Sequence, residues 1–164
     1  MKFIFKIILI IIPFILTLLD VSFFSQFSIF GATILSIYSL LLIYSFLGEF
    51  ANFLILATSS IFFFSIFSSI PVWLIFISFF IIPSVIFYLR KNFFPDLSIL
   101  FVFSIFLLSN FIFQFLLLAY SGEWNNQGLL ALAYFVFLNS FFGILIFLFA
   151  KNILKKYKRN EVKF

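Results

Sequence analysis

Few side chains in this chain could do chemistry, and their spacing limits what that chemistry can be. Three amides lie deep in apolar sequence: Asn110, Gln114 and Asn139. Asn110 and Gln114 are four residues apart, so on a helix they share a face. An amide in hydrocarbon seeks a hydrogen-bonding partner, and such bonds join neighbouring helices. The three therefore read first as helix–helix polar contacts. The sharper alternative is a polar pocket for a small ligand. Among the acids, Asp20 and Glu123 stand near the ends of apolar runs, and Trp124 follows Glu123. These three are candidate partner contacts. For Asp20 the plainer expectation is a solvated carboxylate at a membrane interface, and the other is a cap at the mouth of a helix bundle.

The chain has no His and no Cys. That removes His or Cys metal ligands, Ser–His–Asp and Cys–His nucleophiles, disulfides, and haem or iron–sulfur ligation. No catalytic, metal-binding or cofactor-binding residue is expected, and the chain reads as a non-enzyme. No Lys or Arg falls in the middle of an apolar run. Proton relays and voltage sensors need ionisable groups at depth, so their absence argues against a proton-coupled pump.

The elements that must carry these residues follow from composition. Of 164 residues, 66% are hydrophobic and 9% are charged, and Phe alone occupies 33 positions. So few charges cannot cover a water-soluble fold of this size, and so apolar a chain is not disordered. The expected class is an all-α, polytopic membrane protein. A crossing helix needs roughly 20 apolar residues, and six runs qualify. They are Phe3–Leu19, Ser28–Leu47, Phe50–Phe67, Val72–Leu89, Leu97–Tyr120 and Leu129–Ala150. Gly48-Glu49 and Ser68 to Pro71 read as tight turns, with Pro71 in a first helical turn capped by Ser68 or Ser69. Pro13 and Pro83 fall inside runs and predict kinks. Small residues in the third run, Ala57 to Ser60 and Ser65, allow close helix approach.

Charge placement selects the topology. Lys2 and Lys6 precede the first run, Arg90 and Lys91 follow the fourth, and Lys151 to Lys163 follow the sixth. With six crossings and both termini cytoplasmic, all ten basic residues lie on the cytoplasmic side, as the positive-inside rule requires. The division is then a transmembrane domain over 1–150 and a basic cytoplasmic tail over 151–164. The tail suits anionic inner-leaflet lipid and not nucleic acid. Trp124, Tyr120 and Tyr134 read as an interfacial aromatic belt around 121–128, the longest outer connection. The first run is longer than a signal-peptide core and lacks a small-residue cleavage site, so an uncleaved helix is expected.

The segment pattern resembles the bacterial rod shape-determining MreD family over nearly the whole chain. The resemblance is carried by Leu18 to Phe24 (LLDVSFF), by Ile61 to Trp73 (IFFFSIFSSIPVW) and by Arg90 to Asp96 (RKNFFPD). Where many members carry an Asp near the end of the third helix and then a Ser-Gly turn, this chain has Ser65 and Ser68-Ser69. The resemblance implies a non-catalytic subunit of the cell-elongation machinery in the bacterial cytoplasmic membrane. Its partners would be an MreC-like protein, an MreB-like filament and cell-wall synthases. The competing expectation is a substrate-binding membrane subunit of an energy-coupling-factor type vitamin or metal-ion transporter, with Asn110, Gln114, Asn139 and Trp124 lining a polar pocket.

Overall fold

The structure is a computed structural model that describes residues 2–28, 31–93 and 98–161. The described residues form six helices in sequence. Helix α1 (Lys2–Leu18) continues through wider, π-type turns over Leu19–Phe23 and tighter turns over Phe24–Phe27. It is followed by α2 (Ser36–Leu47), α3 (Phe50–Phe67), α4 (Val72–Phe93), α5 (Ile99–Ser121) and α6 (Asn126–Glu161). All except α2 are long and apolar enough to cross a bilayer. The result is an all-helical bundle of the multi-pass membrane kind. Its outward face carries large apolar side chains all round, among them Leu100, Phe137 and Phe149, each more than two-thirds exposed. An apolar surface that extensive suits lipid and not water.

Consecutive helices alternate in direction, which the side-chain contacts record. Phe113 stacks on Phe135 between antiparallel α5 and α6. Phe50 meets Phe87 and Phe64 meets Phe79 between antiparallel α3 and α4. Helices α1 and α3 run parallel: the Ser59 hydroxyl donates to the Leu9 carbonyl, and Phe14 lies edge-on to Phe63. The chain thus has one end carrying Lys6, Gly48, Arg90 and Lys151, the basic end, and a far end carrying Gln26, Ser69 and Glu123.

Helix α2 is the hub. Nine of its 12 residues are buried. It is apolar on every side, the pattern of a helix enclosed by others. Tyr38 stacks on Phe79 of α4 and leans on Phe113 of α5, and its hydroxyl donates to the Ser109 carbonyl. Phe46 packs on Phe106 of α5 and Phe147 of α6. One glycine is required by packing. A Cβ on Gly143 of α6 would come within 2.2 Å of the Phe106 ring, so α5 and α6 approach closely only because that atom is absent.

Several sequence expectations change. Asp20 does not close the first helix; helical turns carry on to Phe27. The second run is not one helix from Ser28, because regular winding begins at Ser36. Pro71 takes the cap position of α4 itself, its carbonyl accepting from Leu74 and Ile75, and no serine side chain caps that helix. Helices α4 and α6 run past their expected ends, to Phe93 and Glu161. The last helix enters the basic tail without a break at 150. Helix α4 winds in π-type turns over Ile77–Ile81, just before Pro83. Proline has no N–H to give the Phe79 carbonyl, and widened turns are one way a helix absorbs that loss. Ile29, Phe30 and Leu97, with Phe94 to Asp96 of the basic-aromatic loop and Lys163 of the tail, lie outside the described residues.

Candidate functional site

The most polar region in the interior is the start of α2. The four first N–H groups of any helix have no partner within it, and its N-terminus carries partial positive charge. Here a carboxylate from the preceding helix supplies the partner. Asp20 is buried, with 3% of its surface exposed. One carboxylate oxygen accepts from the Ser36 N–H at 2.9 Å and the Ser36 hydroxyl at 2.5 Å. The other accepts from the Ile37 N–H at 3.0 Å. The π-type turns of Leu19–Phe23 contain Asp20, and wider winding re-aims the side chains it carries. Asp20 is therefore an internal helix cap. It is neither the solvated interfacial carboxylate nor a surface available to a partner.

The opposite end of α2 is held in the complementary way. The Arg90 guanidinium, from α4, donates to the Ser45 carbonyl at 3.2 Å and the Gly48 carbonyl at 3.4 Å. It also lies 5.7 Å from the Phe87 ring centre. A cation at a helix C-terminus offsets the partial negative charge there. In the sequence Arg90 marks topology and opens the basic-aromatic stretch 90–96. Its second role has no local signal, because its partners lie more than 40 residues away.

Before α2 the chain runs without helical winding from Gly31 to Leu35. Backbone groups of such a segment have to find partners elsewhere. Asn139 of α6 provides two of them. Its Oδ1 accepts from the Leu35 N–H at 2.7 Å, and its Nδ2 donates to the Thr33 carbonyl at 2.8 Å and to the Phe135 carbonyl at 3.1 Å. Asn110 of α5 faces the same level of α6. Its Nδ2 donates to the Ser140 hydroxyl at 3.1 Å and to the Phe106 carbonyl at 2.9 Å. Asn110 and Asn139 thus sit at one depth, on either side of the α6 backbone, without bonding to each other. The buried hydroxyls of Thr17 and Ser39, one turn from Asp20 and Ser36, have no hydrogen-bond partner.

Gln114 does not join this cluster. It lines a cleft of about 710 Å³ at the far end, between α5, α6 and Gly31. Ser121, Glu123, Asn125 and Gln127 supply the polar wall, and Leu117, Leu118 and Ala131 the apolar one. Gly31 has φ of 82° and Gly122 has φ of 72°, the left-handed region that glycine adopts at no steric cost. Gly122 ends α5, and the Asn125 side chain then caps α6 by accepting from the Gly128 N–H at 2.8 Å. A Cβ on Gly128 would come within 2.1 Å of the Glu123 carbonyl oxygen, so the turn needs glycine there too. Trp124 is exposed and lies edge-on to Phe115, while Tyr120 lies edge-on to Trp73. The expected pocket of Asn110, Gln114, Asn139 and Trp124 is therefore not one site. Gln114 borders the cleft beside Glu123, and the two asparagines are used inside the bundle. Among the described residues no group of three His, Cys, Asp or Glu could hold a metal ion. Compared with known family models, curated proteins and solved structures, the chain matches none.

Proposed function

We propose that the chain crosses the bacterial cytoplasmic membrane six times, with both termini on the cytoplasmic side, as a non-catalytic subunit of the cell-elongation machinery. Length supports the crossing count. The 12 residues of α2 span about 18 Å as a helix. The non-helical stretch from Ala32 to Leu35 adds up to roughly 13 Å if extended. Together they match the roughly 30 Å hydrocarbon core. Non-helical backbone at that depth is tolerated where protein encloses it. Asp20 and Asn139 provide that enclosure.

The observation that carries the functional reading is the occupant of the α2 N-terminus. In transporters with broken helices, such a terminus points at an anionic group of the substrate. Here the chain's own Asp20 fills the position. Polar groups at depth are spent on holding the bundle, which suits a scaffold that works by contact. Its partners on this reading are an MreC-like membrane protein, an MreB-like filament and cell-wall synthases. Depleting the protein in its host should turn elongated cells into round ones while vitamin and metal-ion uptake persist. Cells that keep their shape but lose uptake of one such nutrient would instead establish the transporter-subunit alternative.

A further inference from the structure

We propose that the cleft at the far end binds a small organic amine whose other end carries a hydrogen-bonding group. Three observations carry this, and none depends on the scaffold reading. The first is the cavity. At about 710 Å³ it falls within the range of sites that hold small molecules. The second is its charge. Glu123 is the sole charged side chain in the lining, and no ion pair engages it among the described residues. A lone carboxylate on a half-apolar wall selects a cation, and a primary ammonium gives it charge-assisted hydrogen bonds.

The third is Gln114. Its amide is half-buried in α5 and makes no hydrogen bond among the described residues. Ser121, at the rim, is seven residues further along the same helix, about 10 Å away at helical rise. The Gln114 amide atoms are not sealed in the interior, so they are open to a ligand in the cleft. The Nδ2 of Asn110 and both polar atoms of Asn139 are bonded within the bundle. Gln114 lines the cleft, so a ligand there can supply its amide with a partner. A ligand that reaches from Glu123 to Gln114 needs an ammonium, a short aliphatic body against Leu117, Leu118 and Ala131, and a hydroxyl or amide at its far end.

The probe with that shape is 6-amino-1-hexanol, with 1,6-hexanediol as its uncharged counterpart. Binding is read by saturation-transfer NMR on the full chain in lipid nanodiscs. The aminoalcohol should bind at about 10 mM or below, a realistic strength for so few atoms. The diol should bind at least about tenfold more weakly, as should the aminoalcohol to Glu123→Gln. Gln114→Leu should weaken the aminoalcohol severalfold and leave hexylamine unchanged. Equal binding of aminoalcohol and diol, no binding at that concentration, or unchanged affinity in both variants would overturn the proposal. The comparison of the two probes on the unaltered protein needs no variant, so it decides the matter even where a substitution disturbs folding.

Discussion

Two charged side chains from different helices grip the ends of one short helix. Asp20 holds the N-terminus of α2 and Arg90 its C-terminus, each opposite in sign to the partial charge it meets. Removing the first leaves two backbone N–H groups and a serine hydroxyl without an acceptor. Asp20→Ala should therefore cost about 3 kcal/mol of stability. Asp20→Asn, which keeps one acceptor oxygen, should cost roughly half as much. Thermal unfolding of the purified variants in detergent separates the two. Asn139→Leu strands the Leu35 N–H and the Thr33 carbonyl and should cost about 2–4 kcal/mol, against about 1 kcal/mol for Asn110→Leu. If both asparagine variants melted with the unaltered protein, these amides would not hold the bundle. The amides were readable at their level, because antiparallel α5 and α6 bring Asn110 and Asn139 to one depth by counting. Their partners were not readable. Nothing in Thr33-Ile34-Leu35 marks it as a segment without helical winding. Asp20 was misjudged for the same kind of reason: an acid after an apolar run looks solvated until the residue 16 positions later is known to face it.

At the level of helices, apolar length foretold much and winding little. Helix α3 has the bounds that Gly48-Glu49 and Ser68 impose on its sequence. Helix α2 does not keep the bounds of its run, because a stretch of Ile, Leu and Ser reads alike whether it is helical or extended and buried. The kink expected at Pro83 takes the form of π-type turns before it. Close helix approach occurs at α1–α3, where Ser59 of the small-residue run reaches the Leu9 carbonyl, and at α5–α6, where it rests on Gly143. Gly143→Ala would drive a methyl into the Phe106 ring, which is fully buried and has little room to move. Overpacking of this kind costs about 1–3 kcal/mol. Adding Phe106→Leu to the same chain should recover part of the loss in a thermal melt, whereas on its own Phe106→Leu should destabilise. Additive losses would show that the two side chains do not share the space.

For the molecule as a whole, the absence of cysteine makes the proposed topology directly measurable. Single cysteines placed at Ser69 and Ser121 should react with a membrane-impermeant maleimide in intact cells. One placed at Lys151 should react only after permeabilisation. Labelling of Lys151→Cys from outside would require an odd number of crossings or the inverted orientation. The same frame gives a reason for the order in which the molecule assembles. Leu35 and Thr33 take their hydrogen bonds from a residue made 104 positions after Leu35. Until α6 has been synthesised and inserted, those two backbone groups have no partner, and each unpaired group in hydrocarbon costs several kcal/mol. On the proposed topology, the crossing second in sequence is thus completed last. On that topology a ribosome-bound chain that stops short of Asn139 would hold an unfinished span in the bilayer, and the C-terminal helix would be the piece that closes it.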